Sequence, residues 1–123
     1  MTAVYLIIGG ALGTLTRYYV AARVGAWADS GALGIFTVNV AGSLAIGLFL
    51  GLGEERFNWP FELRVLVATG FLGGFTTFST LTWQTLQLFE VRDASYALLN
   101  LIGSVVAGMA AVYAGWGLSR IVA

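Results

Sequence analysis

The sequence predicts an all-α membrane protein of four transmembrane helices, and three observations carry the prediction. Hydrophobic residues make up 59% of the 123 positions and charged residues only 10%, against roughly 25% charged in ordinary globular domains. A water-soluble domain this small is mostly surface, and six Arg with six Asp or Glu do not cover it. The charges also punctuate the chain, leaving 30–53, 65–89 and 94–119 free of them. About 20 apolar residues cross a hydrocarbon core, so each block is long enough to span a bilayer. Finally, glycine occurs 17 times, mostly inside the blocks, although an ordinary helix interior disfavours it.

The first span is expected at about 3–24. Residues 1–16 carry no charge, and the apolar run continues past Arg17 through Tyr18, Tyr19, Val20 and Ala22. A signal peptide is the alternative for this segment. It lacks a basic leading region, and Arg17 lies where a cleavage site is small and neutral, so a retained helix is the better reading. The second span is expected at about 32–53, the third at 62–89 and the fourth at 95–118, joined by short connections at 25–31, 54–60 and 90–93. Short connections make neighbouring helices antiparallel and leave both termini on one side.

Arginine counts set orientation in a membrane. Here Arg17, Arg23 and Arg92 belong to one side, and Arg56, Arg64 and Arg120 to the other. Three against three gives no bias, so a dual-topology arrangement with an inverted pair of subunits is expected. Gly9 and Gly13, Gly47 and Gly51, and Gly70 and Gly74 lie four apart, the spacing that lets helix backbones approach closely in lipid. Four helices enclose little interior, so a pathway is expected to need a homodimer.

Several chemistries are excluded. Net charge is zero, so a nucleic-acid partner finds no electrostatic footprint. The absence of Cys removes disulfides, thiolate metal sites and thiol nucleophiles. The absence of His removes Ser-His catalysis and imidazole-bound zinc. No nucleophile–base pair remains, and the chain is not expected to be an enzyme.

Polar residues inside the spans point to a pathway. The third span contains Gly73-Gly74-Phe75-Thr76-Thr77-Phe78-Ser79-Thr80-Leu81-Thr82. Adjacent glycines followed by β-branched Thr are poor helix formers, and the helix is expected to break here, mid-membrane. Backbone groups freed in hydrocarbon cost several kcal/mol each, so a break must be buried against protein, water or an ion. Freed carbonyls are hard oxygen ligands suited to a small cation. The alternative is an unbroken helix whose hydroxyls bond back to its own carbonyls. The second span holds one amide, Asn39. The fourth carries Tyr96, Asn100 and Ser104 at i, i+4 and i+8, one polar stripe. These groups are neutral and able to donate hydrogen bonds, with no carboxylate among them. Donors without anions suit a small anion, assisted by the positive edge of a phenyl ring. Arg17 reads either as an electropositive mouth or as an anchor that snorkels to the interface.

These residues resemble the Fluc/CrcB family of fluoride channels along essentially the whole chain. Gly9-Gly10-Ala11-Leu12-Gly13 followed by Arg17-Tyr18 looks like the family's first-helix motif, and Val38-Asn39 with Gly42-Ser43 like its second. The run from Gly70 to Thr80 is similar to the third-helix signature, the most specific of the three. The resemblance implies an antiparallel, dual-topology homodimer with two pores in the cell membrane, passively exporting fluoride to relieve its toxicity. It implies a structural sodium ion at the dimer centre, held by the Gly73 and Thr76 carbonyls. It further implies a fluoride path along Asn39, Phe78, Ser79, Tyr96, Asn100 and Ser104, with Arg17 as the essential first-helix arginine. Three positions depart from the pattern. Leu81 replaces the second phenylalanine of the aromatic box, Ile35 follows Gly34 where Thr is frequent, and Gln84 stands where many members carry an acid.

The main competing function is a small four-helix multidrug or cation exporter. Proton-coupled export needs an acid inside the membrane, and the nearest candidate, Glu62, falls at the start of the third span. A structural assembly subunit would leave the hydroxyl cluster and the Asn100 stripe unexplained. A non-conducting partner subunit of a heterodimeric fluoride channel is the remaining alternative.

Overall fold

In the computed structural model, which describes residues 1–122, every regular element is helical. Helix α1 spans Thr2–Ala28 and α2 spans Gly31–Leu52. Only Asp29 and Ser30 separate them. Asp29 closes α1 in the left-handed conformation (φ 53°), which short polar side chains tolerate. Ser30 caps α2, its side chain accepting from the Leu33 N–H at 3.2 Å. The other connections are equally tight, and all are shorter than charge punctuation suggests. Arg23 and Glu90 lie within helices, because at a membrane edge a helix pairs its backbone while its charged side chains reach water.

Beyond α2 the chain makes a π-helical turn, Gly53–Phe57, ended by Asn58 at φ 46°. Trp59 clamps this end. Its indole N–H donates to the Phe49 carbonyl at 2.6 Å, and its ring stacks on Phe49 and Phe57. Glu55 pairs with Arg120 at 3.1 Å, tying the turn to the last helix. Half-exposed as it is, the pair adds at most about 1 kcal/mol.

The third stretch is composite. Helix α3 (Phe61–Arg64) continues as a π-helical segment, Val65–Leu72, then as α4 (Gly73–Phe75). Thr76 and Thr77 are extended, and α5 (Phe78–Val91) resumes the helix. The last helix, α6, is Ala94–Val122. The interruption lets the stretch change neighbours: the part before it packs on α1, and α5 packs on α6. Helix α2 touches both halves and makes its most extensive contact with α6.

Three helical stretches, Gly31–Phe57, Phe61–Val91 and Ala94–Val122, are long and apolar enough to cross a membrane. Helix α1, with 27 residues, is about 40 Å long at 1.5 Å per residue, but glycines, threonines, tyrosines and two arginines dilute its apolar character. Large apolar side chains dominate the exterior, among them Phe78, Trp83, Leu99 and Tyr113, a surface that a bilayer solvates and water does not.

The glycine pairs are used inside the subunit. A Cβ on Gly13 would strike the Phe71 carbonyl, and one on Gly47 the Val112 carbonyl. Gly9 lies against Gly70, and Gly74 against the backbone of Gly10. These close approaches join α1 to the third stretch and α2 to α6 within one chain.

Candidate functional site

The site is built around the interruption. Thr76 (φ −86°, ψ 156°) and Thr77 (φ −151°, ψ 118°) leave the helical region, and the side chains of Asn39 and Thr77 take up backbone groups that the helix no longer pairs. Asn39, on α2, pairs with both backbone groups of Thr77: its Oδ1 accepts from the Thr77 N–H at 2.8 Å, and its Nδ2 donates to the Thr77 carbonyl at 3.1 Å. The Thr77 hydroxyl oxygen caps α5 by accepting from the Thr80 N–H at 3.4 Å. The Thr76 hydroxyl donates to the Leu72 carbonyl at 3.0 Å. Thr82 and Thr85 likewise bond back to carbonyls of their own helix, so hydroxyl back-bonding and an interrupted backbone coexist.

In a continuous helix the Thr77 N–H would serve the Gly73 carbonyl, and the Thr80 N–H the Thr76 carbonyl. Both donors are diverted, to Asn39 and to the Thr77 hydroxyl. Gly73 and Thr76 therefore retain carbonyls without their helical partners, and both line a groove of about 410 Å³ beside the interruption. The donor set fits a monovalent cation, being neutral hard oxygen. Magnesium and calcium usually recruit anionic ligands, and among the described residues no cluster of Asp, Glu, His or Cys is placed to hold a metal.

The same groove is lined by Asn39, Phe78, Leu81 and Ser104. Ser104 is 6% exposed and its hydroxyl is buried beside the groove without a hydrogen-bond partner, which is uncommon for a buried polar group. Phe78 is 71% exposed and offers its ring at the surface, whereas Leu81 is buried in the wall.

The remaining expected site residues lie elsewhere. Asn100 donates through Nδ2 to the Thr85 hydroxyl at 3.2 Å, and Thr85 donates onward to the Leu81 carbonyl at 2.8 Å. Tyr96 is half-exposed, with the Arg92 guanidinium 5.0 Å from its ring centroid. Ser79 is exposed, its hydroxyl 3.5 Å from that of Thr77. The Tyr96–Asn100–Ser104 stripe thus has only Ser104 in the groove. Arg17 lines a separate cavity of about 340 Å³, with Thr14, Tyr18 and Gln84. The Gln84 Oε1 is buried there without a partner.

The groove also adjusts the donor inventory. A neutral amide has two N–H groups, and one of those on Asn39 is committed to Thr77, leaving a single donor for an ion. Sequence reasoning missed Thr85 and gave Gly42 no role beyond its place in a motif. Thr85 continues the hydroxyl run one helical turn beyond Leu81, which is the signal that marks it. Gly42 lies one turn beyond Asn39 on the same face, inside the motif already singled out.

Known proteins of similar sequence identify the family. The family model described as CrcB-like protein, Camphor Resistance (CrcB), matches residues 4–116. The fluoride-specific ion channel FluC of Maridesulfovibrio salexigens is 40% identical over 119 residues, covering 96% of this chain and 94% of its own length. Its namesake in Rhizobium leguminosarum bv. trifolii is 42% identical, covering 98% of each chain. That of Nitratidesulfovibrio vulgaris is 42% identical, covering 97% of each. With a match over nearly its whole length and three membrane-capable helical stretches, the chain is a multi-pass membrane protein and belongs to the CrcB-like family.

Proposed function

We propose that this protein is a fluoride channel that lets the ion leave the cell passively. The observation that carries the reading is the groove at the interruption, where neutral donors and freed carbonyls meet with no carboxylate in the lining. Full-length relatives named fluoride-specific ion channels support it. Fluoride holds its water tightly, so a path must replace that water with several fixed donors at short range. The single free N–H of Asn39, the orphaned Ser104 hydroxyl and the Phe78 ring edge are suited to this. Ser79, Tyr96 and Asn100 lie outside the groove on α5 and α6 and are proposed to continue the path toward the membrane surface. Arg17, in its own cavity, is proposed as an electropositive group that draws the anion in.

A groove open along one side does not strip an anion of water, so a second wall is required. An antiparallel second copy of the chain supplies it, in keeping with the balanced arginines. The Gly73 and Thr76 carbonyls of the two copies together offer four oxygens to one sodium ion at the shared axis, and the ion's role there is structural. The intramembrane acid that a proton-coupled exporter needs is lacking among the groove-lining residues, and Glu62 sits in the first turn of α3, exposed.

The test is efflux from proteoliposomes read with a fluoride electrode, chloride serving as the control anion. Rapid fluoride efflux without chloride efflux is expected. Equal release of the two anions, or none of either, rejects the reading.

A further inference from the structure

We propose that Asn39 and Thr77 are the positioning residues of the cation site: their side chains take up the N–H groups that would otherwise close onto the Gly73 and Thr76 carbonyls. The inference rests on the sodium reading above and gives Asn39 a task separate from the ion path. Each carbonyl loses its helical donor to one identifiable acceptor, Gly73 to the Asn39 Oδ1 and Thr76 to the Thr77 hydroxyl oxygen. Asn39 is 38 residues away in sequence, so helix α2 holds the third stretch open from outside.

The geometry is over-determined. The bond from Nδ2 to the Thr77 carbonyl fixes which way the amide faces, since a flipped amide would set oxygen against oxygen and N–H against N–H. The Oδ1 must therefore meet the Thr77 N–H. An apolar side chain at position 39 accepts nothing. The Thr77 N–H is then left to the acceptor that a continuous helix gives it, the Gly73 carbonyl, the helix closes, and a cation ligand is lost. Removing the Thr77 hydroxyl does the same to the Thr76 carbonyl through the Thr80 N–H. Anion path and cation site thus share one side chain, and damage at Asn39 reaches both.

The experiment measures the thermal unfolding midpoint and the dimer fraction of the purified full-length protein in detergent. Sodium is exchanged for N-methylglucamine at constant ionic strength. For the parent, both quantities should rise with sodium. For Asn39→Leu and Thr77→Val, the sodium concentration giving half the rise should increase at least about tenfold, as when an outer-shell partner of a metal ligand is removed. Thr77→Ser, which keeps the hydroxyl, should restore the parent's response. A purely structural role lowers the midpoint equally at every sodium concentration and leaves the sodium-dependent rise in place, and that result overturns the inference. If Asn39→Leu does not fold, the contrast between Thr77→Val and Thr77→Ser decides. A parent indifferent to sodium removes the cation site and this inference with it. A responsive parent whose variants respond at the same concentrations rejects the inference alone.

Discussion

Thr76 rests its γ-methyl on helix α2 at Gly42, so close that a Cβ on Gly42 would overlap it. The interruption is therefore held from α2 at two successive turns, by the absence of a side chain at Gly42 and by the amide of Asn39. Gly42→Ala should push Thr76 away from α2, at a cost of about 1–3 kcal/mol typical of overpacking, and should reduce fluoride flux. Gly10→Ala is the control, since nothing lies within 4 Å of its Cβ. It should leave the unfolding midpoint unchanged or raise it. Equal effects from the two substitutions would show that the contact at Gly42 does not matter.

Topology is tested with single cysteines, which the Cys-free chain makes straightforward. Ala26 and Glu54 are exposed near opposite ends of α2. Ala26→Cys and Glu54→Cys should each label to about half from either side of the membrane, as unbiased arginine counts require. Labelling from one side only excludes the dual topology and the antiparallel dimer.

Asn39→Asp keeps the acceptor for the Thr77 N–H but turns a carboxylate oxygen toward the Thr77 carbonyl. It also removes the one donor left for an anion. A hydrogen bond to a charged group is worth about 1.5–3 kcal/mol, roughly tenfold or more in a rate or affinity. Fluoride efflux should fall by at least that much. Asn100→Ala should fall less, because Asn100 is already engaged with Thr85. An Asn39→Asp channel with parental efflux would remove Asn39 from the ion path and leave it only its bond to the Thr77 N–H.

Phe78 and Leu81 separate one ring edge from two. Phe78 presents its ring at the groove, while Leu81 is sealed in the wall. Phe78→Ile should cut fluoride efflux severely. Leu81→Phe should change it by less than about twofold, the added volume being felt as a modest loss of stability instead. A marked gain of flux in Leu81→Phe would show that conduction needs both rings.

Much of this was legible in the sequence because a bilayer imposes simple demands. Charge-free blocks had to be helices, since only a helix pairs every backbone group within its own segment. Thr76, Thr77 and the glycines before them marked a weak point by their low helix propensity. Asn39 and Ser104 stood out as polar groups where polarity is costly. Tertiary structure alone decided what those groups do. It assigned Asn39 to the backbone of Thr77, which no spacing rule reveals because the partner lies 38 residues away. It separated Ser104 from Tyr96 and Asn100 along one stripe, because α5 covers part of α6 and leaves the rest beside the groove. It also turned the glycine pairs inward, since Gly9, Gly13 and Gly47 are needed where backbones of the same subunit meet. Sequence determines which groups must find partners in a medium without water. The partner each one finds depends on which helices the fold brings within three ångströms.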